Sequence, residues 1–162
     1  MVYTLNVETS ITFRGYRDED FDQVWNLHEK ALRHAGAFIA GVDSLDTDLK
    51  NIPKAYDGSG GLFVIAEMED MIIGMGAIRR VDRKTAELKR MRVLPEYQGQ
   101  GLGTRLLKHL EGKAKELGYK RLILDTSLKL EAAVHLYEKY GYREYKRGEI
   151  AGWETLWMEK EI

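Results

Sequence analysis

The segment Met-Arg-Val-Leu-Pro-Glu-Tyr-Gln-Gly-Gln-Gly-Leu-Gly-Thr-Arg, from Met91 to Arg105, constrains this chain more than any other stretch. It reads as a strand that runs through a glycine loop into a helix. Glycines at 99, 101 and 103 let the main chain turn sharply and approach a ligand closely. A helix opening near Gly101 would aim its unpaired N–H groups and the positive end of its dipole into the same loop. Each such interaction contributes about 0.3–1 kcal/mol when exposed and more when partly buried. The junction therefore predicts an anion site made of backbone, able to hold a diphosphate without a lysine.

The spacing excludes two familiar phosphate loops. A dinucleotide fingerprint starting at Gly99 needs glycine where Thr104 stands, and one starting at Gly101 needs it where Leu106 stands. A Walker loop ends in Gly-Lys-Ser/Thr, a tripeptide the chain does not contain. What remains is Gln98-x-x-Gly101-x-Gly103.

The rest of the chain alternates strands and helices. Ile11–Gly15 is a short strand, and Asp18 is placed to cap a helix with Phe21, Val24, Trp25, His28, Ala31 and Leu32 on one face, ending at Gly36. Within 36–60, Leu45, Leu49 and Ile52 suggest a helix before Pro53, followed by the loop Asp57–Gly61. Leu62–Glu67 and Met71–Val81 pair around a tight turn at 68–70, and Thr85–Leu94 forms a third strand. The next helix repeats Leu102, Leu106, Leu110, Ala114 and Leu117 up to Gly118. Arg121–Thr126 is a buried strand and Glu131–Tyr140 a helix. Tyr142–Lys146 and Trp153–Lys160 are a closing hairpin that turns near Ala151-Gly152. This order suits a single α/β domain over 1–162: a three-layer α/β/α sandwich around a mixed sheet. At this length a domain buries roughly 70% of its unfolded surface.

One strand breaks its own pattern. Alternation from Leu88 would put Met91 on the opposite face, yet Met91 and Val93 resume the apolar pattern. One extra residue around Lys89–Arg90, a β-bulge, brings the phases together.

Composition narrows the function. There is no cysteine, which excludes disulfides, a cysteine nucleophile and thiolate metal sites. None of the four histidines has metal-ligand spacing with another, so no metal is expected. His28 reads as a core residue, and His34 and His109 as exposed. A net charge of −1 argues against nucleic acid as a partner. No apolar run approaches 18 residues and no basic-apolar leader is evident, so no membrane role is expected and the cytoplasm is the expected location. The cluster Arg79, Arg80, Arg83, Lys84, Lys89, Arg90 and Arg92 is read as a solvated basic face around a hairpin.

The pattern Gln98-x-x-Gly101-x-Gly103, after a strand and opening a helix, resembles the acyl-CoA pyrophosphate loop of the GNAT acetyltransferase superfamily. The order of elements is similar to that superfamily over nearly the whole chain. The resemblance implies that the central sheet is splayed where the bulged strand parts from Arg121–Thr126. It implies that acetyl-CoA is the co-substrate, with Gln98, Gly99, Gln100, Gly101, Leu102, Gly103 and Thr104 at its diphosphate. Backbone of Met91 and Val93 would pair with the pantetheine arm. The run Ala133-Val134-His135-Leu136-Tyr137-Glu138-Lys139-Tyr140-Gly141-Tyr142 resembles the family element Ala-x-x-Leu-Tyr-x-Lys-x-Gly-Phe/Tyr. Its tyrosine, Tyr137, would lie near the CoA sulfur, although helical spacing by itself favours a core tyrosine. Glu87 matches a strand glutamate that acts as base in some members. Leu130 stands where the family often carries a pantetheine-binding asparagine, with Ser127 or Thr126 as substitutes.

Acetyl transfer to an amine sets the chemical demands. A lysine-like amine of pKa near 10.4 is neutral in about one molecule in a thousand at pH 7.4, a cost of roughly 4 kcal/mol. A base or a water relay must take the proton, and a general acid at the departing thiolate contributes typically about 10²–10⁴-fold. Without cysteine, direct transfer in a ternary complex is expected, with Tyr137 as acid and Glu87 as base. A small-molecule amine is the favoured acceptor, its pocket shaped by 36–60 and a loop near 147–152. The alternatives are a protein N-terminal or lysine acetyltransferase and a non-catalytic acyl-CoA sensor. Trp153 and Trp157 suit a core as well as a homodimer interface.

Overall fold

The computed structural model describes residues 10–40, 45–56, 58 and 60–162. The strands are β1 (Thr12–Gly15), β2 (Leu62–Met68), β3 (Met71–Arg80), β4 (Thr85–Val93), β5 (Arg121–Ser127), β6 (Arg143–Ile150) and β7 (Trp153–Glu161). The helices are α1 (Phe21–His34), α2 (Ile52–Tyr56), α3 (Leu102–Glu116) and α4 (Glu131–Lys139). All seven strands form one sheet in the order β1-β2-β3-β4-β5-β7-β6. Every pairing is antiparallel except β4 with β5. No helix among the described residues is long and apolar enough to cross a membrane.

The two faces of the sheet are set by β3. Positions for a Cβ on Gly74 and Gly76 lie 2.9 Å from Leu106 Cδ1 and 2.5 Å from Leu110 Cδ1, so even-numbered residues of β3 look onto α3 and leave no room for a side chain. Met75 and Ala77 therefore look toward the opposite layer, where α1 packs on β3 and β4. Helix α4 lies on α3. A Cβ on Gly103 would be 3.5 Å from Leu136, and the Tyr142 hydroxyl donates to Glu111 at 3.2 Å. This is the expected three-layer arrangement.

The local expectations hold with particular amendments. The two-residue turns of the β2–β3 and β6–β7 hairpins use backbone of the left-handed region, Glu69 and Asp70 in one, Ala151 and Gly152 in the other. That geometry matches the right-handed twist of the flanking strands. The final hairpin is longer than its pattern suggested. Residues 147–150 belong to β6, and only Ala151-Gly152 turn. Pro53 does not end a helix. A 3₁₀ turn over Leu49–Asn51 runs into α2, and Pro53 occupies its first turn, where a missing N–H costs nothing. Residues 41–44, Asp57 and Ser59 of that expected segment lie outside the described residues. Asp18 opens a 3₁₀ turn ahead of α1, whose core face contains Leu27, while Phe21 is exposed. On α3, Leu107 joins the buried stripe and Leu117 is left exposed at the C-cap.

The bulge is present where the apolar phase slips. Ala77 pairs with Lys89 and Met75 with Arg92, so two residues of β3 span three of β4. Arg90 takes a φ of 58°, unusual for a residue with a side chain. Its guanidinium holds this strained backbone from outside the strand. It donates to Asp48 at 2.9 Å, Asp46 at 3.1 Å and the Leu45 carbonyl at 2.6 Å. The bulge is thus tied to the segment before α2.

Candidate active site

Strands β4 and β5 pair only through Thr85–Arg121, Ala86–Leu122 and Glu87–Ile123. Beyond Glu87 they part, while β4 remains paired with β3 and β5 with β7. The parting opens a cavity of about 710 Å³. Its floor is the free edge of β4 at Met91, Arg92 and Val93. Its walls are Ala31, His34 and Ala35 from the end of α1, and Leu130, Ala133 and Tyr137 from α4.

The glycine loop closes one end. Gln98, Gly99, Gly101, Gly103 and Thr104 line the cavity. Gly101, with φ 85°, is the N-cap of α3 and no side chain caps it. The first intrahelical bond is donated by Arg105 to the Gly101 carbonyl, at 3.1 Å. The amides of Leu102, Gly103 and Thr104 thus precede the helical ladder and face the loop. Positions for a Cβ on Gly99 and Gly101 meet nothing within 4 Å, which leaves open space over the turn. The Gln98 side chain turns back, donating to the Val93 carbonyl at 2.9 Å, and that of Gln100 donates to Glu96 O at 3.3 Å. Leu102 points into the core, so only its backbone can serve a ligand. Leu130 is the N-cap of α4, and its amide donates to the Ser127 carbonyl at 3.0 Å. Thr126 is buried, and the Ser127 hydroxyl already accepts from the Lys129 amide at 3.2 Å.

Tyr137 is 5% exposed, and its ring meets Tyr142 edge-on at 5.6 Å. Burial pushes its phenol up to about 12, against a downward pull from Arg92 and with a small upward push from Asp125. It stays protonated at neutral pH, as a proton donor must. Its hydroxyl forms no hydrogen bond with the other described residues. Sequence reasoning placed Tyr137 and the glycine loop in one site, and the fold brings them to one cavity.

Glu87 stands elsewhere. It lies at the last paired position before the strands part, does not line the cavity, and is held by Arg79 at 2.9 Å and Lys89 at 3.2 Å. Two residues beyond its partner Ile123, Asp125 occupies the same face of the sheet, past the parting point, and like Glu87 it is not on the cavity lining. The surrounding protein raises the Asp125 carboxyl pKa, partly countered by Lys89. Nothing in the local sequence distinguishes Asp125. Its position follows from where β4 and β5 separate.

The basic cluster divides, correcting its reading as one solvated face. Arg79, Arg80, Arg83 and Lys84 are exposed. Arg90 is sunk in the network with Asp46 and Asp48, where its guanidinium holds the Asp48 carboxyl down at about 2 against the upward push of burial. Tyr56 donates to the same carboxylate. Arg92 lines the cavity. His28 is buried as expected, its Nε2 3.2 Å from Asp46, and burial together with Arg92 lowers it to about 4. His34 is exposed on the cavity wall, whereas His109 is stacked on Phe13. Trp153 and Trp157 are partly buried beneath Lys129 and Lys146.

Comparison with known sequences agrees with this geometry. The sequence model of the acetyltransferase (GNAT) family matches residues 21–142. This chain belongs to the GNAT acetyltransferase family. The match spans α1 to the start of the final hairpin and so contains the bulged strand, the glycine loop and Tyr137. Among relatives of this GNAT chain, a probable N-acetyltransferase 14 of Xenopus tropicalis is 39% identical over 67% of this chain and 52% of its own length. An uncharacterized N-acetyltransferase YjgM of Escherichia coli is 30% identical over 63% of each chain. The chain therefore spans about half to two thirds of the length of these relatives. In solved structures, a GNAT acetyltransferase of Staphylococcus aureus superposes with a TM-score of 0.85 at 23% identity, covering 94% of this chain and 99% of the other. The paia N-acetyltransferase of Thermoplasma acidophilum, solved in complex with coenzyme A, superposes with a TM-score of 0.77 at 20% identity, covering 94% and 99%.

Proposed function

We propose that this GNAT domain, acting as a single unit, transfers an acetyl group from acetyl-CoA directly to a primary amine, with a small molecule as acceptor. The observation that carries the reading is the convergence on one cavity of a free strand edge, an uncapped helix N-terminus and a protonated buried tyrosine. Acetyl-CoA fits these residues. The open space above Gly99 and Gly101 and the amides of 102–104 suit a diphosphate. The β4 edge at Met91–Val93 suits an extended amide-bearing arm, which adds to a sheet edge as a strand does. When bound, the thioester supplies the activated acetyl group.

In this reading Tyr137 donates its proton to the departing sulfur. Asp125 meets the incoming ammonium and takes its proton directly or through water. A raised carboxyl pKa suits that task, since it brings the base closer to working pH. Glu87, expected from the sequence as the base, is the next carboxylate along the same face and is the alternative. Its two ion pairs favour Asp125 over it.

The test is free-thiol release from acetyl-CoA across a panel of amines, with no background from a chain that lacks cysteine. Turnover with one acceptor class supports the reading. Tight CoA binding without any turnover favours an acyl-CoA sensor, and turnover confined to peptides favours protein acetylation.

A further inference from the structure

Arg92 lines the cavity and, unlike the exposed Lys129 and Glu131 on the same lining, is largely withdrawn from solvent. It pairs with Met75 in the ladder and so projects away from α3, toward α1. Its Nε is buried and has no hydrogen-bond partner, and among the described residues its terminal nitrogens make one hydrogen bond, from Nη1 to the carbonyl of the adjacent Met91 at 2.8 Å. It makes no ion pair among the described residues. Both nearby carboxylates are otherwise placed: Asp46 is paired with Arg90 and faces His28, and Asp125 reaches solvent. Burial and the like charge of Arg90 lower Arg92 to about 10, which still leaves it cationic at neutral pH. Burying a cation without a partner is costly, several kcal/mol in real proteins. A site that retains one is matched to an anion that arrives with a ligand.

The position says which anion. Arg92 shares the cavity lining with Ala31 and His34 of α1 and with Tyr137 of α4, and its charge acts on both His28 and Tyr137. The diphosphate loop lies six and more residues further along, at 98–104. A pantetheine arm along the β4 edge is uncharged. The anion therefore belongs to the acceptor. A planar guanidinium fork matches a carboxylate in two parallel hydrogen bonds.

Resting on the acetyltransferase reading, we propose that the acceptor is an amine carrying a free carboxylate, of the amino-acid class, and that Arg92 grips that carboxylate. The amine of such a molecule then reaches Tyr137 and Asp125 while its acid end is held at the cavity floor. A peptide N-terminus, whose α-carboxyl is an amide, lacks this handle.

The experiment compares the protein amino acids with their carboxamides and their decarboxylated amines, in the wild type, Arg92→Lys and Arg92→Met. In the wild type, kcat/KM for the acid should exceed that for its amide at least about 10-fold, the discrimination of a site built to bond a polar group. Arg92→Met should abolish the preference through acceptor KM, with the KM for acetyl-CoA unchanged within about twofold, and Arg92→Lys should restore part of it. The melting temperature of Arg92→Met should not fall, since an unpaired charge is removed. Equal use of acids and amides by the wild type overturns the proposal. So does a preference for a phosphorylated amine, a weakened CoA affinity in Arg92→Met, or an equal loss of kcat on every acceptor. If no amine is acetylated, the acetyltransferase reading has failed separately. Calorimetric titration of the CoA-saturated protein with the same amino acids then decides the anion site: Arg92-dependent binding supports it, and no binding overturns it.

Discussion

Replacing Tyr137 by Phe removes one oxygen atom from the cavity and nothing else. The ring keeps its edge-on contact with Tyr142, and the lost hydroxyl forms no hydrogen bond with the described residues. Stability should therefore change by less than about 0.5 kcal/mol, as for substitutions that leave no polar group unpaired. At about 2–4 °C per kcal/mol for a chain of this size, the melting temperature should stay within about 2 °C. The rate should behave otherwise. Loss of a general acid costs about 10²–10⁴-fold, which is about 2.7–5.5 kcal/mol of barrier at 1.36 kcal/mol per decade. Thiol release with saturating acetyl-CoA and the best acceptor gives kcat directly. The wild-type pH profile adds a second check. Because burial holds the phenol up at about 12, activity should rise as the amine deprotonates and show no falling limb below about pH 11. An unchanged kcat with a melting temperature several degrees lower would make Tyr137 a packing residue and refute the argument. A falling limb near pH 8–9 that vanishes in Tyr137→Phe would refute the part played by burial.

Other outcomes follow from the same geometry. Gly101→Ala should lower stability by about 1–2 kcal/mol, because an L-residue at φ 85° is strained, and should weaken CoA binding by calorimetry; Gly103→Ala, at an ordinary helical φ with Leu136 at 3.5 Å, should do neither. Arg90→Met should cost about 3–5 kcal/mol in urea denaturation by stranding Asp48 and freeing the bulge, and adding Asp48→Asn should recover part of that loss. His28 is lowered to about 4, so the unfolded chain takes up this proton first. Its contribution is complete above about pH 6.5 and is lost as pH falls toward 4, of the order of 3 kcal/mol. Urea midpoints at pH 7.5 and 4.5 should therefore differ less in His28→Leu than in the wild type.

Much of this protein was legible in its residues because the determining chemistry is local. Glycines at 99 and 101 are needed at positive φ, and a run of apolar residues at helical spacing follows them, so the strand-loop-helix junction and its open amides could be read in order. The slip of apolar phase between Leu88 and Met91 located the bulge, because side chains of a strand alternate strictly and an extra residue must show. The fate of the charges could not be read in this way. Arg79, Arg90 and Arg92 look alike in sequence, yet one is exposed, one is bound to two aspartates from the segment before α2, and one faces the cavity. Glu87 and Asp125 share a face and neither lines the cavity, but the first is ion-paired where β4 and β5 still pair and the second stands beyond the parting point without an ion pair among the described residues. By itself, then, the sequence determined the elements, their order and the anion-binding turn, which depend on neighbours a few residues away. Only the tertiary structure decided which charges are neutralised and which remain for a ligand, because the energy of a buried charge depends on partners the chain brings in from forty residues away.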